Sequence, residues 1–379
     1  MKILHINIGG PFNYDMSYQG AVLPIENYKA GHEVTVITSC LKWENNKIVL
    51  VPEEDVYRDG IRYIRLQYDK IINPIFTEKV RKINKMLDFL NEIRPDVILN
   101  HDIQMYELIT VSKYKERNPH IKLYADSHSD KNNSAQTWMS RVFLHKVFYK
   151  TIIHKCLRNI EKILCISTET IDFLKDMYNI SENCLEYYPL GGHIISENGK
   201  ENLRKEIRTE LGINNDDIVM CHSGKMDKKK KTKELIENFM RVGDSKFKLL
   251  IIGVFDDSMS SELTDMINKD NRIYYLGWKT STDLIKIIAA SDLYVQPGSQ
   301  SATMQNALCS GTPVLFQKNR SHEVFMKGNA FAIEEDDDME IIFKKISKNP
   351  EILLEMSQKT YLIARDLLDY EKLAKRITM

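Results

Sequence analysis

Short β-branched runs alternate with helix-length segments from the first residues of the chain, and this alternation restricts it to an α/β fold with parallel sheets. Lys2 to Ile8 alternates apolar and polar residues and meets Gly9-Gly10-Pro11, a strand followed by a loop. Gly31-His32-Glu33 precedes Val34-Thr35-Val36-Ile37-Thr38, a second strand. The stretch between them, Tyr18 to Ala30, has the length of a crossover helix. A strand–helix–strand unit of this kind pairs its strands in parallel.

The pattern continues through the chain. Tyr63–Leu66, Asp96–Leu99, Lys122–Ala125 and Lys162–Ile166 read as strands. Glu78 to Ile93 carries apolar residues at 80, 83, 87, 90 and 93, a helical spacing, and Ser134 to Ile160 reads as one long helix. A second set begins near Asp217, with strands at Ile218–Cys221, Lys248–Ile252, Ile273–Leu276, Leu293–Val295 and Pro313–Phe316. Two doubly wound sheets in succession are expected to face each other across a cleft, with ligands at the carboxyl ends of the strands. The expected division is 1–188, 189–357 and a terminal helix 358–379 returning to the first domain, with Tyr370 and Leu373 as its anchors. A length of 379 residues suits two domains.

Charge narrows the partners. Lys plus Arg equals Asp plus Glu, 53 against 53, so the global basic field of a nucleic-acid binder is missing. The six cysteines form no C-x-x-C pair and read as reduced thiols. The run before Gly9 is too short for a signal-peptide core, and no apolar run reaches the ~18 residues of a membrane span. A cytoplasmic protein is expected, peripheral to the inner face of the cell membrane if it binds lipid.

Two stretches carry anion-binding chemistry. Ser223-Gly224-Lys225 is followed by Asp227 and four lysines, 228–231, and then by a helix for which Thr232 is a plausible N-cap. Glycine permits close backbone approach, lysines supply charge and a helix start adds its dipole, a combination suited to a pyrophosphate. A solvated lysine loop is the other reading. Pro297-Gly298-Ser299-Gln300-Ser301-Ala302-Thr303 joins a strand end to a short helix carrying Gln305 and Asn306. Its free N–H groups and hydroxyls also suit an anion.

In the first half, Asp126-Ser127-His128-Ser129-Asp130 follows a strand. A histidine there can hydrogen-bond a reacting group or move a proton near neutral pH, with Asp126 orienting it; a loop tie is the alternative. The triplet also has metal-ligand chemistry, but such triplets are common in loops and no metal is expected. His101-Asp102 ends another strand and is either part of the same site or an ordinary turn. Residues 131–162 hold seven basic residues against one acid, Glu161, with Trp138, Phe143, Phe148 and Tyr149 interleaved. An amphipathic basic helix suits an anionic membrane surface. A core helix with a solvated basic face is the other reading, and its apolar positions fall on too many sides for a clean surface helix.

These motifs, in this order, resemble family-4-type (group 1) glycosyltransferases. Gly224, Lys225, Lys230 and Leu235-Ile236-Glu237-Asn238-Phe239 resemble that family's glycine, arginine, lysine and L-I-E-A-F helix, with lysine in place of the arginine. Leu276-Gly277-Trp278 is similar to its F-L-G-W loop, Gly253 to a glycine near the nucleotide, and Gly31–Thr38 to G-H-E-V-T-V. Tyr188–Gly192 resembles its interdomain P-L-G segment, and Gly9-Gly10 the N-terminal glycine loop of a subgroup. The resemblance covers most of the chain. It implies the GT-B fold, two Rossmann-like doubly wound domains, and a retaining transfer from a nucleoside diphosphate sugar, UDP being the commonest, without cofactor or metal. It assigns His128 and Asp126 to catalysis. Gly224, Lys225, Lys230, Ser299, Gln300, Ser301, Ala302 and Thr303 would hold the donor phosphates, and Gly10, Gly253, Trp278, Gln305 and Asn306 the nucleotide and sugar. The acceptor would be a glycan or a lipid-linked species of bacterial surface polysaccharide or glycolipid synthesis. One departure stands out: the two glutamates of the family's E-x7-E segment fall on Gly298 and Asn306. Amides can take over their hydrogen bonds, the donor can differ, or the protein can be a non-catalytic binding or activating partner. An epimerase on the same fold is a further rival, but the acidic groups it needs near the sugar are not found.

Overall fold

The computed structural model describes residues 1–16, 18–44, 47–70, 74–298 and 303–379. The chain divides into two compact units, residues 1–190 with 370–379, and residues 191–369.

The first unit contains β1 (Lys2–Asn7), β2 (Glu33–Ser39), β3 (Leu41–Glu44), β4 (Lys47–Leu50), β5 (Glu54–Arg58), β6 (Ile61–Leu66), β7 (Val97–Asn100), β8 (Lys122–Ser127), β9 (Ile163–Cys165) and β10 (Leu185–Tyr187). Among the described residues, eight of them form one sheet in the order β10-β9-β8-β7-β1-β2-β6-β5. All its pairings are parallel except β5 with β6, and β3 and β4 form a separate antiparallel hairpin. Both faces of the sheet are covered. Leu4, Ile6 and Ile98 enter one apolar cluster while Ile3, Val97 and Leu99 enter another, the two-residue alternation of strands buried on both sides. The second cluster takes in Tyr370 and Leu373 of the terminal helix Tyr370–Arg376, and the Tyr188 hydroxyl donates to Leu373 O at 2.7 Å. Strand order reverses between β1 and β7, so their carboxyl ends, at Ile8–Pro11 and His101–Asp102, flank the switch point where such sheets bind ligands.

The second unit contains β11 (Ile218–Met226), β12 (Phe247–Phe255), β13 (Ile273–Tyr275), β14 (Leu293–Gln296), β15 (Val314–Gln317) and β16 (Ala330–Ile333). They form a parallel sheet in the order β13-β12-β11-β14-β15-β16. Its switch point lies between β11 and β14, beyond Gly224 and Gly298. Helices around it start and stop as the sequence signals. Ser196 caps Glu197–Leu211 by accepting from Gly199 N, and Gly212, at φ +65°, ends it. Thr280 caps Ser281–Ala290 by accepting from Asp283 N.

Three helix readings change. The stretch 78–93 is two helices, Pro74–Val80 and Met86–Ile93. They are separated at Arg81, whose left-handed backbone (φ 52°) lets its guanidinium pair with Asp102 at 2.7 Å. The helix expected from Ser134 begins at Trp138 and runs as a π-helix from Ser140 to Tyr149 before turning α at Lys150–Cys156. Thr232 is not the N-cap of its helix. Lys231 takes that place in the left-handed region (φ 54°), and the Thr232 side chain is buried. No helix of the described residues is long and apolar enough to cross a membrane.

Candidate active site

The lysine motif sits at the switch point of the second unit. β11 ends beyond Gly224, and the chain makes a tight turn, Lys228–Lys230, capped by Asp227, whose carboxylate accepts from Lys229 N and Lys230 N. A helix then begins at Thr232. The neighbouring strands approach so closely here that only glycine fits: a Cβ on Gly253 would lie 1.8 Å from Gly224 O. Both glycines have left-handed φ, +138° and +141°. Lys230 folds back over Gly224, its Cε 3.3 Å from where a Cβ would stand. Burial pulls the Lys230 ammonium down, and Asp227 opposes the shift. Lys225 is exposed, while Lys231 is held by Asp336 at 2.7 Å and Gln317 at 3.1 Å. The run therefore separates by role, with Lys231 structural and Lys225 and Lys230 at the strand end.

His222, which carries no motif signal of its own, holds this turn in place. Its Nδ1 donates to Val295 O at 2.8 Å on β14, and Nε2 lies 3.0 Å from the Thr232 hydroxyl at the helix start. Burial lowers its pKa to about 4, so the ring stays neutral and each nitrogen keeps one role.

Gly298 stands against the lysine turn. A Cβ there would be 2.0 Å from Lys229 O and 2.8 Å from Lys230 C. No side chain fits there unless the turn moves. Ser299, Gln300, Ser301 and Ala302 lie outside the described residues. Thr303, Gln305 and Asn306 are on the helix Thr303–Cys309. Among the described residues, Gln305 Oε1 is buried without a hydrogen-bond partner, and so are both amide atoms of Gln296 at the end of β14. Buried amides are rarely left unpaired, so these are positions where a bound polar group would be satisfied. Asn306 Oδ1 packs 3.5 Å from where a Cβ of Gly192 would stand. Trp278, in the loop after β13, is 71% exposed. Gly253 N donates to Gly277 O beside it at 2.9 Å.

In the first unit a buried chain of hydrogen bonds runs from Asp126, beside His128, to the terminal helix. His128 Nε2 lies 3.8 Å from Asp126 Oδ1. Asp126 also accepts from Asp102 N at 2.8 Å and from His101 Nδ1 at 2.6 Å. His101 Nε2 meets His5 Nδ1 at 3.1 Å, His5 Nε2 meets Asn27 Oδ1 at 3.0 Å, and Asn27 Nδ2 donates to Ala374 O at 3.0 Å. The far end fixes the direction of every bond. The amide nitrogen of Asn27 must face the carbonyl of Ala374, so its oxygen faces His5 and His5 Nε2 donates. Burial and the His101 charge lower the His5 pKa to about 3, so His5 is neutral and its Nδ1 accepts. His101 Nε2 therefore donates to His5, and its Nδ1 faces the Asp126 carboxylate. Burial alone would raise Asp126, but His101 and then His128 hold its carboxyl well below the usual carboxylate range. Desolvation pulls His128 down, yet the nearby Asp126 carboxylate and the charge of Asp102 leave its pKa raised. The ring is 45% exposed, so it can reach a ligand.

Asp102 has φ 76° and Arg81 φ 52°. Both line a cavity of about 350 Å³ with Gln104, Ser129 and Ala135, the last also left-handed at φ 56°. Strained non-glycine backbone of this kind gathers at functional sites. His101-Asp102 thus belongs to the His128 cluster. Gly10 lies at the end of β1, at this same switch point, and its carbonyl accepts from the Ser39 hydroxyl at 2.9 Å. No group of three or more His, Cys, Asp or Glu able to hold a metal occurs among the described residues.

Residues 204–362 match the model of the glycosyl transferases group 1 family. No curated protein matches the chain in sequence. Among solved structures, Anabaena Alr3699/HepE in complex with UDP superposes with a TM-score of 0.65 at 14% identity, covering 100% of this chain and 98% of that one. Sucrose-phosphate synthase from Thermosynechococcus elongatus gives 0.66 at 14% identity, over 100% and 97%. WaaG, a glycosyltransferase involved in lipopolysaccharide biosynthesis, gives 0.62 at 14% identity, over 100% of both chains. The chain has the fold of the GT-B glycosyltransferases.

Proposed function

We propose that the protein transfers a glycosyl group, with retention of configuration, from a nucleoside diphosphate sugar to a hydroxyl of a glycan or lipid-linked acceptor. The observation that carries this reading is the second unit's switch point. Paired glycines, Lys225 and Lys230 and a helix start converge there, inside the segment that matches the group 1 family. As the glycosyl–oxygen bond breaks, negative charge grows on the leaving diphosphate. Two ammonium groups and backbone N–H donors stabilise that charge where it develops. Trp278 offers an exposed aromatic face for the base. The orphaned amides of Gln296 and Gln305 offer neutral hydrogen bonds where the family uses carboxylates. In the first unit, His128, raised by Asp126, would donate a hydrogen bond to the reacting sugar or acceptor. UDP is the expected nucleotide, as in the Anabaena neighbour, and bacterial surface polysaccharide or glycolipid synthesis the expected setting.

A second reading keeps nucleotide binding without turnover. It is favoured by Gly298, where the lysine turn leaves no room for a side chain and so none for the carboxylate that the resemblance would lead one to expect. Calorimetric titration with UDP, GDP and ADP, with and without magnesium, separates the possibilities. Saturable binding of one nucleotide supports the donor site and identifies the base. Binding without hydrolysis or transfer of the matching sugar nucleotides supports the non-catalytic partner. No binding to any of them removes both.

A further inference from the structure

The helix that follows the His128 loop turns apolar side chains to solvent. Trp138, Met139, Phe143 and Val147 are 67%, 68%, 57% and 56% exposed. At the α-helical period the apolar residues of this segment scatter around the axis, but from Ser140 to Tyr149 the helix is π, bonded i to i+5. Residues four and five apart then share a face. Trp138, Phe143 and Val147 are spaced in this way, as are Met139 and Phe143, so the four form one stripe. Trp138 and Phe143 pack edge to face, with ring centroids 5.7 Å apart. His145 and Tyr149, also four apart, are the buried residues of the same helix. Together with Ser140 and Leu144 they line the 350 Å³ cavity that contains Asp102 and Ser129. One helix therefore presents an apolar stripe to solvent and walls the cavity beside the His128 cluster.

Charge points to the occupant of the stripe. Lys131 is paired with Asp176 and Arg158 with Glu116, but Lys146, Lys150 and Lys155 have no acidic partner among the described residues. A two-fold contact with a second copy would set this acid-poor segment against itself, like charge to like charge. An anionic bilayer supplies both an apolar layer for the stripe and negative headgroups for the lysines. We propose that the helix 138–149 docks the protein on an anionic lipid bilayer, with Trp138, Met139, Phe143 and Val147 entering the interface and Lys146, Lys150 and Lys155 meeting the headgroups. The docking stands on this surface alone. Delivery of a lipid-linked acceptor to the adjoining cavity also rests on the transferase reading.

The test is vesicle flotation of the full chain, on phosphatidylcholine alone and on phosphatidylcholine mixed with phosphatidylglycerol. The wild type should float with the mixed vesicles and much less with the neutral ones. Phe143→Asp with Val147→Asp, and separately Lys146→Glu with Lys150→Glu, should each weaken vesicle affinity by about tenfold or more. All four positions are exposed or half-exposed, so circular dichroism and nucleotide titration should match the wild type. That match separates a failure of docking from a failure of the transferase reading. Absence of flotation with mixed vesicles, or flotation unchanged in both double variants, overturns the proposal. Equal flotation on neutral vesicles overturns the headgroup assignment. Concentration-dependent self-association of the wild type, lost in Phe143→Asp with Val147→Asp, would give the stripe to a second copy instead.

Discussion

Replacing Asp126 by Asn tests the buried network of the first unit most directly. The His101–Asp126 pair is 2.6 Å apart, with side chains only 7% and 3% exposed. Removing one partner of such a pair costs about 3–5 kcal/mol, because the other is left desolvated and uncompensated. The low end applies here. An asparagine carbonyl keeps one of the two donors, His101 Nδ1 or Asp102 N, while its NH2 group faces the other. A loss of about 3 kcal/mol corresponds to a roughly 100-fold larger opening equilibrium constant for the strands that hold these residues.

The loss should also carry a pH signature. Asp126 has a depressed pKa in the folded protein. Its stabilisation is present above the unfolded value of about 3.9 and fades as pH falls below it. His128 has a raised pKa, so its contribution is full below about 6.5 and is lost as pH rises through its folded value. Asp126→Asn removes both, so the gap between the proteins should be widest between about pH 4 and 6.5 and narrower toward pH 9. Hydrogen exchange of peptides covering β7 and β8, corrected for intrinsic rates, reads the first unit without assuming that the two units unfold together. Unchanged protection, or a gap independent of pH, would refute the ionic reading of the network.

Two predictions concern the second unit. Lys230→Ala should weaken nucleoside diphosphate binding by about tenfold or more, in line with loss of a charge-assisted hydrogen bond, and Lys225→Ala by less, because that side chain is exposed; calorimetry showing no change in either removes the phosphate assignment. Gly253→Ala should destabilise this unit by about 1–3 kcal/mol and impair nucleotide binding, because its Cβ would stand 1.8 Å from Gly224 O; a variant that melts and binds like the wild type would mean that the two strand ends are not held this close. One prediction concerns the reaction. His128→Ala should cut turnover, or slow donor hydrolysis, far more than donor affinity, and intact turnover would leave His128 a loop tie.

The parallel architecture was legible because buried strands are runs of β-branched residues and glycines mark their ends. Val34–Thr38 and Ile218–Cys221 fall within β2 and β11. What escaped was set by distant partners. The apolar spacing of residues 78–93 describes one helix correctly as a pattern, but Arg81 is pulled into a left-handed turn by Asp102, twenty-one positions away. The lysine run was legible as charge but not as geometry. Nothing local distinguishes Lys231, tied to Asp336, from Lys230, folded over Gly224. His5 and Asn27 were invisible for a similar reason. His5 occupies one polar place in an alternating strand, and its partner His101 is ninety-six residues away. In the basic helix the difference lies in the period: apolar positions that look scattered at the α repeat fall closer together on a π-helix.

At position 298 the backbone has room for glycine alone: Lys229 O stands 2.0 Å from where a Cβ would be, and Lys230 C 2.8 Å. Gly298→Glu would therefore displace the turn that carries Lys230 from the strand end and weaken anion binding there. Gln305 Oε1 and both amide atoms of Gln296 are buried without a partner among the described residues. As neutral amides they can hydrogen-bond a polar ligand without setting a negative charge beside an anion. The crowded glycine and the neutral amides thus act in the same direction, and both favour an anion at the second unit's switch point.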